Sequence, residues 1–345
     1  MKIVILAGGT STERDVSLSS GCQIYKALKS KGHSVILVDI FLGFNGDVGS
    51  AFDDDRDWAA DIAPVKETAP DINQLKALRN DDSKSLFGPN VLELCSRAEI
   101  VFMALHGDSG ENGKVQAAFD LFGIKYTGTD ALSSAIAMDK SISKQLFRAN
   151  GIKTPDSILI TKKEDAKAAR LPCVVKICSG GSSVGVYIAK TQEEFDSAIE
   201  HAFEYENKVL IEDYIKGREF TDGVIEGVPL PIVQIEPKEG FYDYKNKYQA
   251  GSTIETCPAK ISTELEEKIK QAAVKVFKTL GIKTYARVDF MVDDDDNVYC
   301  LEANTLPGMT PTSLIPQEAA TLGKSFADLC EWIIEISLKK YEQAI

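Results

Sequence analysis

The chain contains 345 residues, of which 44% are hydrophobic and 26% are charged, and its formal net charge at pH 7 is −13. This length exceeds what one hydrophobic core usually serves, so the sequence predicts two or three domains. The composition is that of a globular protein, and the acidic excess argues against general nucleic-acid binding. An anionic ligand must therefore be met by local cations or by a metal ion.

Apolar runs and cysteines indicate the cellular compartment. The longest apolar runs have the length of a strand and cannot span a bilayer, and no basic segment with a cleavage site precedes the first strand. The seven cysteines are scattered and odd in number, which favours buried thiols over disulfides or zinc sites. We therefore expect a soluble cytoplasmic protein that binds neither membranes nor nucleic acid.

Strands and helices alternate in the first third of the chain. Residues 2–6, 34–40 and 100–105 have strand patterns, and residues 17–31 place apolar side chains at helical spacing. Between them, residues 43–90 read as an acidic, irregular insertion that carries a short helix. The glycine turn after the first strand lacks the GxGxxG spacing, so no dinucleotide site is expected there.

The middle of the chain is predicted to contain a single helix over residues 130–150 and, further along, a loop rich in glycine and serine. The loop at 179–185 connects strands predicted at 174–176 and 186–189, so it forms a hairpin. It is not a Walker loop, and a flexible hairpin without a ligand is an alternative. Lys176 favours a phosphate site, because a lysine that ends an apolar strand needs an anionic partner.

The apolar strand predicted at 209–215 is a candidate site for a nucleotide base. Glu212 and Tyr214 can bind an adenine by edge hydrogen bonds and stacking, and Glu219 follows where it can bind ribose hydroxyls. An edge strand with solvated acids explains the same residues. This segment alone leaves both interpretations open.

Two further strands place an arginine and three oxygen ligands together. Arg287 and Asp289 are two residues apart and project to one face of an extended segment, as do Glu302 and Asn304 after an acidic hairpin at 293–297. Carboxylate and amide oxygens suit Mg²⁺, and a guanidinium neutralises a phosphoryl group. A solvated acidic hairpin without a metal is the alternative.

In chain order, these segments resemble the ATP-grasp ligases, and most closely the D-alanine–D-alanine ligase family. The matching motifs recur in the family's order at residues 8–18, 106–113, 126–128, 138–140, 181–185, 241–248 and 302–314. The resemblance implies an α/β protein with a three-domain ATP-grasp fold. Its parts would be a Rossmann-like N-terminal domain at 1–128, a central domain at 129–212 and a C-terminal domain with the metal site at 213–345.

The resemblance also implies the reaction and its ligands. ATP would phosphorylate the carboxylate of one D-alanine, and the amine of a second would attack the acyl phosphate. The residues that correspond to the ATP site are Lys140, Lys176, Ser183, Glu212, Tyr214, Ile215, Glu219 and Lys247. The ligands of two magnesium ions, or of manganese in their place, are Asp289, Glu302 and Asn304. The substrate residues are Val16, His106, Ser313 and Leu314, and for His106 a purely structural role is an equal alternative.

The residues that would act on the reacting groups are Glu13, Ser182, Tyr248, Arg287 and Gly308. Arg287 and the backbone N–H of Gly308 would stabilise the oxyanion of the tetrahedral intermediate. Glu13 would bind the ammonium of the first D-alanine. It would also join Ser182 and Tyr248 in a hydrogen-bonded triad that closes the loop at 238–252 over the site.

Two segments depart from the family pattern. Residues 177–180 replace a proline and an Arg-Glu pair, which leaves the stiffness of the glycine loop open, and Asp222-Gly223 stands where the family has apolar residues. The loop at 242–248 keeps a tyrosine that ligases making D-alanine–D-lactate lack.

The alternatives are ligation with D-serine or another amino acid, or a nucleotide-binding module without turnover. A homodimer is what the family suggests.

Overall fold

A computed structural model describes residues 1–60, 62, 71–79, 83–166, 170–181, 183–238, 240–242, 251–310 and 312–342. These residues form an α/β fold built on three β-sheets. Ser182, Lys247 and Tyr248 lie outside the described ranges. None of the described helices is long and apolar enough to cross a membrane.

The first sheet is parallel and has the strand order β2–β1–β3. Its strands are β1 (Lys2–Ala7), β2 (Ser34–Asp39) and β3 (Ile100–Met103). The helices of this third of the chain are α1 (Arg14–Ser30), α2 (Ile72–Ala77), α3 (Val91–Ser96), α4 (Asp108–Glu111) and α5 (Lys114–Phe122). Alternate residues of β1 enter two different hydrophobic clusters, so both faces of the sheet are covered. The predicted strands are confirmed, and so is the short helix inside the insertion.

The long helix predicted over residues 130–150 is wrong. The structure has two helices there, α6 (Ala131–Met138) and α7 (Lys140–Ala149). Asp139 lies between them in an extended conformation, and its carboxylate accepts the N–H groups of Ser141 and Ile142. Asp139 caps a new helix and so separates two helices. The spacing of apolar residues alone indicates one continuous helix.

The second sheet is antiparallel, with the order β4–β7–β5–β6. Its strands are β4 (Ser157–Ile160), β5 (Cys173–Ile177), β6 (Val186–Ala189) and β7 (Val209–Asp213). Helix α8 (Gln192–Tyr205) begins at a capping box formed by Thr191 and Glu194 and packs on this sheet. The predicted hairpin is confirmed, because β5 and β6 pair on either side of the glycine loop.

The third sheet has the order β11–β10–β8–β12–β13, and β9 pairs with β8. Its strands are β8 (Gly217–Ile225), β9 (Val228–Pro229), β10 (Val233–Pro237), β11 (Thr253–Thr256), β12 (Tyr285–Asp293) and β13 (Val298–Asn304). The register of β12 and β13 places Arg287 opposite Asn304 and Asp289 opposite Glu302. The predicted arrangement of these four residues on neighbouring strands is therefore confirmed.

The C-terminal helices return the chain to the first sheet. Helix α9 (Thr263–Thr279) packs on the third sheet, and it is followed by α10 (Leu314–Thr321) and α11 (Phe326–Glu342). Ile315 of α10 and Ile333 of α11 are buried in the same cluster as Ile3 and Ile5 of β1. This packing fixes the motif at residues 302–314, which precedes and begins α10, against the N-terminal sheet.

Candidate active site

Two adjoining cavities lie where the sheets meet. One has a volume of about 380 Å³ and the other of about 400 Å³, and both are lined by Lys140, Gly180, Tyr242 and Glu302. The predicted residues that line the first cavity are Glu13, Val16, His106, Arg287, Asn304, Gly308, Ser313 and Leu314. The predicted residues that line the second are Lys176, Ser183, Glu212, Tyr214, Ile215, Glu219 and Asp289. The structure thus brings together every predicted site residue that it describes.

A buried carboxylate between two lysines forms the floor of the second cavity. Glu212 lies 3.0 Å from the Nζ of Lys144 and 2.9 Å from the Nζ of Lys176. Burial would raise the pKa of Glu212, but the two lysines hold it below its ordinary value. The trio carries a net positive charge beside the glycine loop, which suits a polyphosphate. Sequence reasoning missed Lys144, although it lies one helical turn after Lys140 on α7.

Lys140 connects the glycine loop to the candidate metal ligands. Its Nζ lies 2.9 Å from Oε2 of Glu302 and donates a hydrogen bond of 2.7 Å to the carbonyl oxygen of Gly180. Burial would lower the pKa of this lysine, but Glu302 raises it above its ordinary value. Lys140 is therefore a fixed cation at the boundary of the two cavities.

Arg287 and Asp289 form a bidentate pair on β12. The Nε of Arg287 lies 2.9 Å from Oδ1 of Asp289, and Nη2 lies 2.7 Å from Oδ2. Thr221 of β8 donates a further hydrogen bond of 2.6 Å to Oδ1. Burial would lower the pKa of Arg287, but Asp289 raises it above its ordinary value. The guanidinium is thus held charged and in one orientation, and Arg287 lines the first cavity.

The donor set of Asp289, Glu302 and Asn304 fits a hard cation. Two carboxylates and an amide oxygen are ligands that Mg²⁺ accepts when phosphate oxygens and water complete the octahedron. Within the described ranges no three His, Cys, Asp or Glu side chains cluster as a complete protein-only metal site. The residues therefore fit a metal that binds together with a nucleotide.

Glu13 lies between the N-terminal loop and the glycine loop. A Cβ atom on Gly181 would be 2.6 Å from its Oε2, and one on Gly107 would be 2.7 Å from the same atom. Both glycines are therefore required for this carboxylate to approach the backbone. Gly181 directly precedes Ser182, so the geometry is compatible with the triad of Glu13, Ser182 and Tyr248, which stays a prediction.

Both ring nitrogens of His106 have protein partners. Nδ1 lies 3.1 Å from the carbonyl oxygen of Leu306, and Nε2 lies 3.1 Å from Oγ of Ser20. Because a carbonyl only accepts, Nδ1 carries the proton and Nε2 accepts from the serine. Burial lowers the pKa of His106, which keeps the ring neutral. His106 forms part of the wall of the first cavity and ties α1 to the C-terminal motif.

Glu111 also lines the first cavity, and sequence reasoning did not select it. It is buried, and one carboxylate oxygen accepts the N–H of Gly107 at 2.9 Å. Burial, reinforced by Glu13, raises its pKa to about 8 from an ordinary value of 4.5. Glu111 lies within the motif at 106–113, which could have drawn attention to it. Its burial, however, cannot be inferred from the neighbouring residues in the sequence.

The free energy of unfolding of the wild type should fall as pH rises, because Glu111 has a raised pKa. We expect Glu111→Gln to remove this part of the pH dependence. A carboxyl group with a raised folded-state pKa contributes stability that is complete below about pH 4.5 and is lost as pH rises through about 8. The wild type should therefore weaken relative to the variant between these values, by up to about 1.4 kcal/mol per pH unit. Urea unfolding from pH 5 to 8.5 measures this, with the exposed Glu93→Gln as control. Parallel pH profiles for wild type and Glu111→Gln would contradict the assignment.

Glu206 fixes the start of the glycine loop. One oxygen of its carboxylate accepts the N–H groups of both Cys178 and Ser179 at 2.9 Å. At the far side of the loop, Ser183 has a φ of 60° and its hydroxyl donates to the carbonyl oxygen of Tyr242 at 2.8 Å. The two hydrogen bonds to Glu206 hold the segment 177–180, where the sequence left the stiffness of the loop open, and the Ser183 contact holds the other end of the loop.

We expect Glu206→Ala to raise the KM for ATP by about three- to tenfold, because two backbone hydrogen bonds that shape the phosphate loop are lost. The turnover at saturating ATP should change less. Glu204→Ala, at an exposed position in the last turn of α8 two residues before Glu206, is the control and should leave both constants unchanged. Equal KM values for Glu206→Ala and wild type would show that the loop holds its shape without this carboxylate.

Ser313 and Leu314 stand at the start of α10. Oγ of Ser313 accepts the N–H of Thr310 at 3.1 Å and would lie 2.9 Å from a Cβ on Gly308. Ser313 is the N-cap residue of the helix, and its own hydroxyl makes no hydrogen bond to the first turn. Because Ser313 and Leu314 line the first cavity, the start of α10 lies at its wall, where the helix dipole favours a carboxylate.

The chain is similar to known proteins over nearly its whole length. Residues 2–129 match the family described as D-ala D-ala ligase N-terminus, and residues 145–335 match D-ala D-ala ligase C-terminus. A D-alanine–D-alanine ligase of Pediococcus pentosaceus is 43% identical, with 99% of both chains covered. The crystal structure of a D-alanine–D-alanine ligase from Bacillus anthracis complexed with ATP has a TM-score of 0.74 at 33% identity, with 99% of both chains covered. That of a D-Ala:D-Ser ligase from Enterococcus faecalis has a TM-score of 0.73 at 29% identity and covers 97% of this chain and 99% of that one.

Proposed function

The chain belongs to the D-alanine–D-alanine ligase family, and we propose that it joins two D-alanine molecules with conversion of ATP to ADP and phosphate. The product would be D-alanyl-D-alanine for peptidoglycan precursor synthesis. The observation that supports this best is the junction of the two cavities at Lys140 and Glu302. At this junction the second cavity, which suits a nucleotide, adjoins the first cavity, which suits small zwitterions.

The second cavity would hold ATP. Glu212, Tyr214, Ile215 and Glu219 would bind the adenosine, while Lys140, Lys176, Ser183 and Lys247 would bind the phosphates. Asp289, Glu302 and Asn304 would hold two magnesium ions, which neutralise charge on the transferred phosphoryl group when bound. The lysines would hold the phosphates in line with the carboxylate of the first D-alanine, because positioning and charge neutralisation supply most of the catalysis in phosphoryl transfer.

The first cavity would hold both amino acids. Glu13 would bind the ammonium of the first D-alanine, and Val16 and His106 would form the wall beside it. Arg287 and the N–H of Gly308 would stabilise the oxyanion that forms when the second amine attacks. Ser313 and the N–H of Leu314 would bind the carboxylate of the second D-alanine. Ser182 and Tyr248 would complete a closed state that excludes water from the acyl phosphate.

We place the enzyme in the cytoplasm as a homodimer, with no membrane or nucleic-acid partner. Three strongly exposed apolar side chains on α5 and α6 are candidates for a self-association surface: Leu121 is 88% exposed, Phe122 63% and Leu132 69%. Sedimentation velocity at several protein concentrations measures the oligomeric state directly. A monomer at all of them would contradict the dimer.

The test of the proposed function is ADP release with D-alanine, D-serine, D-lactate and L-alanine, supplied alone and in pairs, with products identified by mass spectrometry. D-alanine alone should give ADP and one dipeptide in equal amounts. A mixed product that dominates when D-serine is present would favour the activity named for the Enterococcus faecalis neighbour. ATP binding without ADP release under any condition would indicate a binding module without turnover.

A further inference from the structure

A side chain from α10 completes the hydrogen bonding of β8 where a neighbouring strand ends. The pairing of β10 with β8 extends only as far as Thr221, so the next residues of β8 lack a partner from β10. The N–H of Gly223 donates instead to Oε1 of Glu318 at 2.9 Å. Glu318 therefore takes the place of the missing strand at this point.

Gly223 makes this contact sterically feasible. A Cβ atom at position 223 would lie 2.3 Å from Oε2 of Glu318, which no side chain can tolerate without displacing the carboxyl group. On the other side of β8, Gly223 pairs with Arg287 of β12. The departure at Asp222-Gly223 thus has a structural counterpart in Glu318, directly behind the strand position of Arg287.

Glu318 also belongs to the helix that begins the candidate acceptor site. It lies four residues after Leu314, about one turn along α10, so both side chains are on the same side of the helix. Ser313 and Leu314 line the first cavity at the start of α10. The hydrogen bond from Gly223 to Glu318 is therefore a direct link between the acceptor end of the cavity and the strand beside Arg287.

We propose that Glu318 is a positioning residue that holds Ser313 and Leu314 at the correct distance from Arg287 and thereby sets the binding of the second D-alanine. The inference rests on the proposed ligation and goes beyond it by naming a residue that touches no substrate. Loss of this hydrogen bond shifts the acceptor site at the start of α10. The nucleotide cavity keeps its shape, because no residue of α10 lines it.

Burial disfavours the charged form of the Glu318 carboxyl group. Glu318 and Asp222 are fully buried, and each has one oxygen without a hydrogen-bond partner among the described residues. Burial raises the pKa of Glu318 well above its ordinary value, and Asp222 adds to the rise, while Arg287 opposes it and Asp289 supports it. Lys270 and Glu266 face Asp222 from α9. Glutamine is therefore a close replacement for this acid.

The experiment compares Glu318→Gln with Glu318→Leu by steady-state ADP release over D-alanine and ATP concentrations. Glu318→Gln keeps an acceptor for Gly223, so we expect its constants to stay within about twofold of wild type. Glu318→Leu should raise the KM for the second D-alanine by about tenfold and leave the KM for ATP within about twofold, because one buried positioning hydrogen bond is lost. Glu335→Gln and Glu335→Leu, at an exposed position of α11, are the matched controls.

Equal increases in all KM values for Glu318→Leu, or none, would overturn the role of Glu318. A Gln variant as impaired as the Leu variant would overturn it too. If the Leu variant does not fold, Gly223→Ala decides, because it keeps Glu318 but displaces it. A rise in the KM of the second D-alanine alone supports the proposal, and an unchanged KM contradicts it. A wild type that releases no ADP with D-alanine contradicts the proposed function instead, so the two failures are distinguishable.

Discussion

Glu302→Gln is expected to reduce the rate of ADP release by a factor on the order of 10³, since charge stabilisation of a transferred phosphoryl group acts at this scale. Glu302 lies opposite Asp289 in the register of β12 and β13 and lines both cavities. Glutamine keeps the size of the side chain and an acceptor for Lys140, but it removes the negative charge that a pair of cations would need. The loss should therefore appear in turnover and in the magnesium dependence.

The fold should survive this substitution. The Glu302 side chain is 28% exposed and is not part of a hydrophobic core, so circular dichroism and the thermal midpoint should match those of wild type within a few degrees. Asp294→Asn removes one charge from the exposed acidic hairpin nearby and is the control, with unchanged turnover. A kcat for Glu302→Gln close to that of wild type would mean that this carboxylate is not a metal ligand.

The arrangement around β12 and β13 was predictable because it depends on local periodicity. Residues two apart on a strand share a face, and a short acidic turn pairs two strands as neighbours. Arg287 opposite Asn304 and Asp289 opposite Glu302 depend in addition on a register shift between Asp289 and Phe290, which these two rules do not predict. The break at Asp139 was not predicted, because apolar spacing continues across it and only the capping contacts of its carboxylate reveal the new helix.

Several residues of the site depend on contacts that no local pattern contains. Lys144 meets Glu212 from a distant part of the chain, and Glu206 reaches back to the N–H groups of Cys178 and Ser179. Each of these is an ordinary charged residue in the sequence, and only burial against a distant partner gives it a role. The family resemblance predicted which residues bind ligands, but it carried no information on the groups that hold those residues in place.

The departure from the family pattern at Asp222-Gly223 also depends on a distant partner that the local sequence does not reveal. In the sequence, Asp222-Gly223 reads as a polar interruption of an apolar strand. In the structure, the N–H of Gly223 and the carboxyl of Glu318 form a contact that needs the missing Cβ, and Asp222 accepts the N–H of Leu230 at 3.1 Å. A change that looks unfavourable by itself is accommodated by a partner 95 residues away.

Arg287→Lys is expected to reduce turnover by about 10²- to 10³-fold, the effect of removing one donor from an oxyanion site. Arg287 holds both oxygens of Asp289 through two nitrogens of its planar fork, and it lines the first cavity. Lysine retains the charge but has a single ammonium, so it cannot bind Asp289 in this way and also keep a donor fixed toward the reacting carbonyl. Asp289 would lose its orientation at the same time.

The measurement is kcat for ADP release at saturating ATP and D-alanine, together with the kcat/KM values, since an interaction made only in the transition state lowers both alike. Arg97→Lys is the matched control: Arg97 pairs with Glu93 at 3.0 Å on the surface, far from the cavities, and the same replacement should leave turnover unchanged. If Arg287→Lys raised only the KM for D-alanine and kept the wild-type kcat, Arg287 would bind substrate carboxylate in the ground state and would not act on the oxyanion.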